Sequence, residues 1–407
     1  MRMRIKEICD YVSRGTTPDY VDEGLNKVMN QAIFSKGWLD ESNLRYTSKA
    51  SKGARIMKGD LLMASTGGGV LGKVFFFDRD DESFYADSHV TIMRNSKGAN
   101  LMKYLYYYFY LRYDEINATM VKGSTNQTEL QRNYLLSYEL DVPSLETQQR
   151  IVDYLDTKLS EISHQVFLLT SKRDAYLRLK KSIINHVVTH GLNPNVKMKD
   201  SGIEWIGEVP EHWEVKRMKD ICDYISRGTT PDYVDEGYQK VMNQATFSKG
   251  WIDERNIRYT KVGNNSAHIK NGDLLMASTG GGVLGKILYF DCNDENFYAD
   301  SHVTIMRNSK EINSMKFLFY YFSQRFEEIN ATMTKGSTNQ TELQRNELLS
   351  HKVALPPLPE QRAIAIYLDD KCAKIDTIVS NLDKQISRYG DLKRSLIDEV
   401  ITGKRAV

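Results

Sequence analysis

The chain repeats itself. Ser13–Gly24 returns unchanged as Ser226–Gly237, and Gly123–Asn133 returns as Gly336–Asn346, both displaced by 213 residues. Whatever one half folds into, the other half must fold into as well. The result is a pseudo-two-fold internal repeat that offers two like surfaces to its surroundings. A length of 407 residues suggests two or three domains, each with its own core.

Each repeat reads as two unlike parts. The first is mixed. Short apolar runs such as Val74–Phe77 and Val90–Met93 are separated by Gly, Asn and Asp, which is strand-and-turn punctuation. An aromatic run follows, Tyr104–Tyr110 in one copy and Phe317–Phe322 in the other, and reads as a helix that packs into the core.

The second part carries a seam at alternating four- and three-residue spacing. It runs Leu155, Leu159, Ile162, Val166, Leu169, Arg173, Tyr176, Lys180, Ile183, Val187. It returns in register as Leu368, Cys372, Ile375, Val379, Leu382, Ile386, Tyr389, Lys393, Leu396, Val400. A seam of period 3.5 is the mark of coiled-coil packing, and two such helices on one chain most simply pack on each other. From Leu155 to Val187 the rise is about 48 Å, enough for a rod that holds two domains apart. Pro143 precedes the first helix, and Pro356, Pro357 and Pro359 stand at the start of the second; Gly191 and Gly403 stop them. The expected fold is α+β: two mixed α/β domains at 1–145 and 194–358, with long helices at 146–193 and 359–407 packed as an antiparallel coiled coil.

Composition narrows the function classes. The chain is 41% hydrophobic and 27% charged, as in a soluble globular protein, and no apolar run approaches the ~20 residues that span a bilayer. Met1–Glu7 lacks the apolar stretch of a signal peptide. Cys9, Cys222, Cys292 and Cys372 show no CxxC spacing and read as free thiols in a reducing cytoplasm. The net charge of +2 neither demands nor excludes nucleic acid.

No catalytic signature emerges. Gly67–Lys73 and Gly280–Lys286 fit G-x4-G-K, but Val74 and Ile287 stand where a phosphate loop needs Ser or Thr, and a strand-like run follows where such a loop opens a helix. A glycine turn, or a backbone-amide loop with Lys73 on a phosphate, remains. His89 and His302 sit in Ala-Asp-Ser-His-Val with no second histidine at ligand spacing; they read as structural or as a polar contact. None of the eight prolines makes the Asn/Asp-Pro-Pro-aromatic motif of an amino-methyltransferase, and H-E-x-x-H and serine-elbow motifs are missing. Neither a metal nor a cofactor is expected.

What remains is a set of polar segments duplicated intact, rich in the side chains that read base edges and phosphates and that equally fill solvated loops. The candidate DNA contacts of the first repeat are Arg14, Thr16, Thr17, Asn30, Gln31, Lys36, Trp38, Thr66, Gly68, Lys73, Ser124, Thr125, Asn126 and Gln127. Those of the second are Arg227, Thr229, Thr230, Asn243, Gln244, Lys249, Trp251, Thr279, Gly281, Lys286, Ser337, Thr338, Asn339 and Gln340.

Several stretches carry a resemblance: Met198–Trp213 between the repeats, Pro356–Arg362 echoed by Pro143–Arg150, Ile401–Lys404 at the end of the last helix, and Gly-Asp-Leu-Leu at Gly59 and Gly272. With their order along the chain, they resemble the DNA-specificity subunit of type I restriction–modification systems. The resemblance covers essentially the whole chain. It implies two target-recognition domains, each reading half of a split double-stranded DNA site, and two antiparallel helices that set the spacer. It implies as partners two modification subunits, which methylate adenine, and a restriction subunit, so that this chain is itself non-catalytic. Two departures stand out. The first domain begins almost at Met1 with no counterpart of Ser201–Trp213, and the two domains, usually unlike, nearly match here. Matching readers predict an interrupted palindrome. Ile33 facing Thr246, and Thr47–Arg55 facing Thr260–His268, are the divergences that would make it imperfect if they read bases.

Overall fold

A computed structural model of the chain describes residues 1–96, 98–122, 128–204, 206–336 and 341–407. It divides into two compact units, Met1–Thr170 with Lys384–Val407, and Ser171–Asp383.

In the first unit a four-stranded antiparallel sheet is ordered Tyr11–Arg14, Val90–Arg94, Leu61–Ala64, Val74–Phe76. The strand Leu61–Ala64 is wholly buried, because both of its faces are covered. Leu61 and Met63 point to a core shared with the aromatic helix Ala99–Tyr110 and the long helix Leu145–His190. Leu62 and Ala64 point the other way, to a core formed with a second four-stranded sheet. That sheet is ordered Tyr20–Val21, Arg45–Thr47, Lys27–Met29, Phe84–Ala86, with the last pair parallel. The aromatic run is a helix in the core, as its density of rings implied.

The second unit repeats this plan. Its sheets run Tyr224–Arg227, Val303–Arg307, Leu274–Ala277, Ile287–Tyr289 and Tyr233–Val234, Arg258–Thr260, Gln239–Met242, Phe297–Ala299. It adds a hairpin, Met198–Asp200 with Glu208–Pro210. The fully buried Trp213 follows, and its indole N–H donates to Glu360 Oε1 at 3.2 Å.

The long helices run Leu145–His190 and Leu358–Ile401. Within each unit their segments pair antiparallel. In the first, Leu155 and Leu159 share a core with Leu396 and Val400. In the second, Ile184 and Val187 share one with Leu368 and Cys372, and Lys180 and Arg173 reach Asp376 and Asp383 at 2.6 and 3.4 Å. No seam residue is exposed. Each domain is tied to the helix that follows it. Tyr107 donates to Asp156 at 2.5 Å beside the ion pair of Lys103 with Asp156, and Tyr320 donates to Asp369 at 2.6 Å beside that of Lys316 with Asp369.

A further anchor lies under each sheet. Arg94 holds Asp60 through both carboxylate oxygens at 2.6 and 2.7 Å, and Arg307 holds Asp273 at 2.6 Å on each. Both carboxylates are buried, and the guanidinium fork is what makes that burial tolerable. Among the described residues no helix is long and apolar enough to cross a membrane. The four cysteines are unpaired.

Candidate nucleic-acid interface

The first polar segment is placed by a glycine. Gly15 donates its N–H to Val90 O at 2.9 Å, and Thr16 donates to Ala86 O at 3.1 Å. A Cβ on Gly15 would lie 2.1 Å from Ala86 O, and one on Gly228 would lie 2.1 Å from Ala299 O. Only glycine allows two backbones to pass so closely. The flanking Arg14 is thereby set over the sheet edge, where its Nη1 stands 3.5 Å from Glu129, as Arg227 does from Glu342. Arg227 also donates through Nε to Ser301 O at 2.9 Å.

Beside it lies a polar network that both units build alike. Thr66 Oγ1 donates to Gln31 Oε1 at 3.4 Å and stands 2.7 Å from His89 Nδ1. In the second unit Thr279 donates to Gln244 at 3.1 Å and stands 2.7 Å from His302 Nδ1. With the hydroxyl proton spent on the glutamine, the threonine oxygen accepts from the imidazole Nδ1–H. That tautomer leaves Nε2 as an acceptor on an exposed ring. The histidine is held from below: its backbone N–H donates to Asp87 Oδ1 at 2.8 Å, as does the backbone N–H of His302 to Asp300 Oδ1. Burial pushes both carboxyls above the ordinary range, against the pull of that N–H and of Arg14 or Arg227. Sequence reading left His89 and His302 outside the candidate set. The signal for them was the intact Ala-Asp-Ser-His-Val repeat, but their threonine partners stand 23 residues away.

The glycine turn completes the surface. Leu130 donates to Ser65 O at 2.9 Å, which sews the strand Glu129–Leu130 to the turn's base. Gly67, Gly69 and Gly72 take φ of 86°, 83° and 85°, a region that other residues enter only with strain. The turn leads into the strand Val74–Phe76, not a helix, and Lys73 Nζ donates to Ser35 O at 3.0 Å. The loop therefore lacks the helix that a nucleotide phosphate loop opens, and Lys73 binds the backbone carbonyl of Ser35. Gly68 and Gly281 are exposed at the tip.

Other candidates divide by what they touch. Asn30 and Asn243 cap the short helices Gln31–Phe34 and Gln244–Phe247, each accepting from two backbone N–H groups. Trp38 and Trp251 are 59% and 58% exposed, with Lys36 and Lys249 each 6.0 Å from the ring and paired to Asp40 and Asp253. Lys36 holds Asp40 down at about 2. Thr17 and Thr230 are exposed, whereas Lys286 is half-buried. Ser124, Thr125, Asn126, Gln127, Ser337, Thr338, Asn339 and Gln340 lie outside the described residues. Ile33 and Thr246, a divergence that could have spoiled a palindrome, are both fully buried. Thr246 satisfies its hydroxyl on Asn256 O at 3.3 Å, so this pair faces the core and no base.

Among the described residues no group of three or more His, Cys, Asp or Glu could hold a metal. The class defined is a duplicated recognition module: polar loops on a rigid sheet, carried on paired helices. The family described as type I restriction modification DNA specificity domain matches residues 1–166 and again 210–388, and the chain belongs to that family. It is 23% identical over 326 residues to the type I restriction enzyme MjaVIII specificity subunit of Methanocaldococcus jannaschii, covering 77% of this chain and 73% of that one. A second chain of that archaeon, MjaX, is 27% identical over 207 residues, so that this chain spans 47% of it and the match covers 48% of this chain. A solved chain from a study of complex assembly and conformational transition in the type I R-M system shares the fold. Its TM-score is 0.73 at 16% identity, over 98% of this chain and 97% of that one.

Proposed function

We propose that this chain is the sequence-reading, non-catalytic subunit of a type I restriction–modification complex in the cytoplasm. Residues 1–145 and 194–358 act as target-recognition domains, and the helices at 146–193 and 359–407 set the spacer and carry two modification subunits. A restriction subunit completes the cleaving assembly. Each domain reads one half of a split double-stranded DNA site through the candidate contacts of its polar loops, with His89 and His302 added to them. The observation that carries this reading is the Gln–Thr–His network, built twice with the same partners and the same threonine–imidazole distance on exposed faces of like domains. Exposed Trp38 and Trp251, backed by lysines, suit contact with the sugar-phosphate edge.

Adenine methylation mapping in cells that express this chain with its modification partners tests the reading. An interrupted motif whose halves are reverse complements, or nearly so, is expected. Unrelated halves would refute the equal-domain reading, and no sequence-dependent methylation would refute the function.

A further inference from the structure

The two domains are not quite twins. They diverge at 48–55 against 261–268, just after the strands Arg45–Thr47 and Arg258–Thr260. Both copies tie this loop to a candidate DNA segment in the same way: Thr47 Oγ1 donates to Asp19 O at 3.1 Å, and Thr260 Oγ1 to Asp232 O at 3.0 Å. The frame is common and the lining differs.

In the second domain a cleft of about 510 Å³ opens between the segment Thr229–Asp232 and the divergent loop, lined by Thr229, Thr230, Thr260, Asn264, Asn265 and Tyr298. Gly263 shapes it. A Cβ there would lie 2.1 Å from Tyr298 Cζ, so the tyrosine ring rests directly on the glycine backbone. The first domain has Ala50 at this position, and its methyl group excludes the same seat for Tyr85. The chemistry changes too. Asn264 spends its Oδ1 on Ser266 N at 3.0 Å, while the side-chain amide of Asn265 is exposed and without a hydrogen bond among the described residues. Ser51 and Lys52 replace them in the first domain, and neither Lys49 nor Lys52 has an ion-pair partner among the described residues.

We infer that this loop makes the second domain read a base pair that its twin leaves unread. The inference rests on the DNA-reading function proposed above. A carboxamide offers a donor and an acceptor side by side, which matches the N6 and N7 edge of adenine. Lysine offers donors only, on a flexible stem, and suits a phosphate. Asn265 is the specificity residue, Thr229 and Thr230 wall the cleft, and Lys52 supplies charge without reading sequence.

The test is methylation mapping of the chain assembled with its modification subunits, for wild type, Asn265→Ala, Lys52→Ala and a chain whose 261–268 carries the sequence of 48–55. The wild-type motif is expected to specify one base pair more in one half than in the other. Asn265→Ala relaxes that base pair alone, by about 5- to 150-fold in discrimination. The exchanged chain gives equal halves, and Lys52→Ala keeps the motif while lowering the salt slope of DNA binding by about 1. If the exchanged chain fails to assemble, Asn265→Ala, altered only at an exposed side chain, decides. Equal halves in the wild type, or a motif unmoved by Asn265→Ala, overturns the inference and leaves the proposed function standing. No interrupted motif in the wild type fells both.

Discussion

Gly15→Ala and Gly228→Ala are the sharpest probes of how the recognition surface is built. Each adds one methyl group where two backbones pass. The new Cβ would stand 2.1 Å from a carbonyl oxygen of the neighbouring strand and 2.4 Å from the next, where ordinary contact begins at 3.4 Å. One backbone must therefore retreat by about 1.3 Å, and neither is the movable tip of a side chain. Overpacking of this kind costs about 1–3 kcal/mol. The bonds from Gly15 to Val90 and from Thr16 to Ala86 add ~1 kcal/mol each if they are lost. A stable domain survives such a loss, but Tm falls by about 2–4 °C per kcal/mol for a unit of this size. The displaced segment carries Arg14 or Arg227, so the larger effect falls on recognition. Calorimetry and methylation mapping on the same preparations read both. Gly15→Ala should relax one half of the motif and Gly228→Ala the other, and the double variant should lose methylation. A Gly15→Ala chain that melts and methylates like wild type would refute the claim that this close pass positions the reader.

Three further outcomes follow from the geometry. His351 is pushed down from 6.5 to about 4, by burial first and then by the Arg325 cation, while the first unit has Tyr138 at that place. The unfolded chain binds this proton between pH 6.5 and 4 and the folded unit does not. Stability of the second unit is therefore intact above 6.5 and falls as pH drops towards 4, by about 3 kcal/mol in all. His351→Tyr should flatten that part of the pH–stability curve in urea titrations, and an unchanged slope would sink the assignment. Asp60→Ala, which strands Arg94 largely buried, should cost about 3–5 kcal/mol in chemical unfolding, and Asp273→Ala the same in the other unit; losses below about 1 kcal/mol would show that water screens the pair. Adding one heptad to both long helices at the level of Arg173 and Asp383 lengthens each by about 10 Å. That should widen the unspecified spacer by about three base pairs at ~3.4 Å each with both half-sites unchanged, and altered half-sites in the methylation map would refute the helices as ruler.

Periodicity made the helices and the paired domains legible. A 3.5-residue seam that recurs 213 residues later leaves little else for Leu155–Val187 and Leu368–Val400 to be. The buried strand Val90–Arg94 was legible in another way, as a short apolar run between turn residues. The candidate surface was legible only as composition. A polar loop residue can serve water, backbone or ligand, and its sequence looks the same in each case. Asn30 caps a helix and Lys73 binds a carbonyl, whereas Thr66, drawn from the same kind of loop, orders an exposed histidine. Only the contacts separate them, and these join residues 38 and 23 positions apart.

Two copies on one chain also serve as controls for each other. Where a residue is buried and shared, as in Leu61–Ala64 and Leu274–Ala277, sameness needs no explanation beyond the common core. Where a buried residue differs, the core must absorb it. Thr246 replaces Ile33 at no exposure and turns its hydroxyl to backbone, accepting from Asn243 N at 3.2 Å. Such a change is silent to a ligand. The loop 261–268 is different in kind: Gly263 lets the Tyr298 ring lie against its backbone, and Asn265 and Val262 stand in solvent where Lys52 and Lys49 stand in the twin. Nothing in the fold requires those exchanges, since the first domain folds on the same frame without them. Differences that the core neither needs nor hides, placed beside the segment Thr229–Asp232, bear on what the surface meets. On the function proposed above, like domains call for like half-sites, and the loop 261–268 is where the two halves are expected to differ.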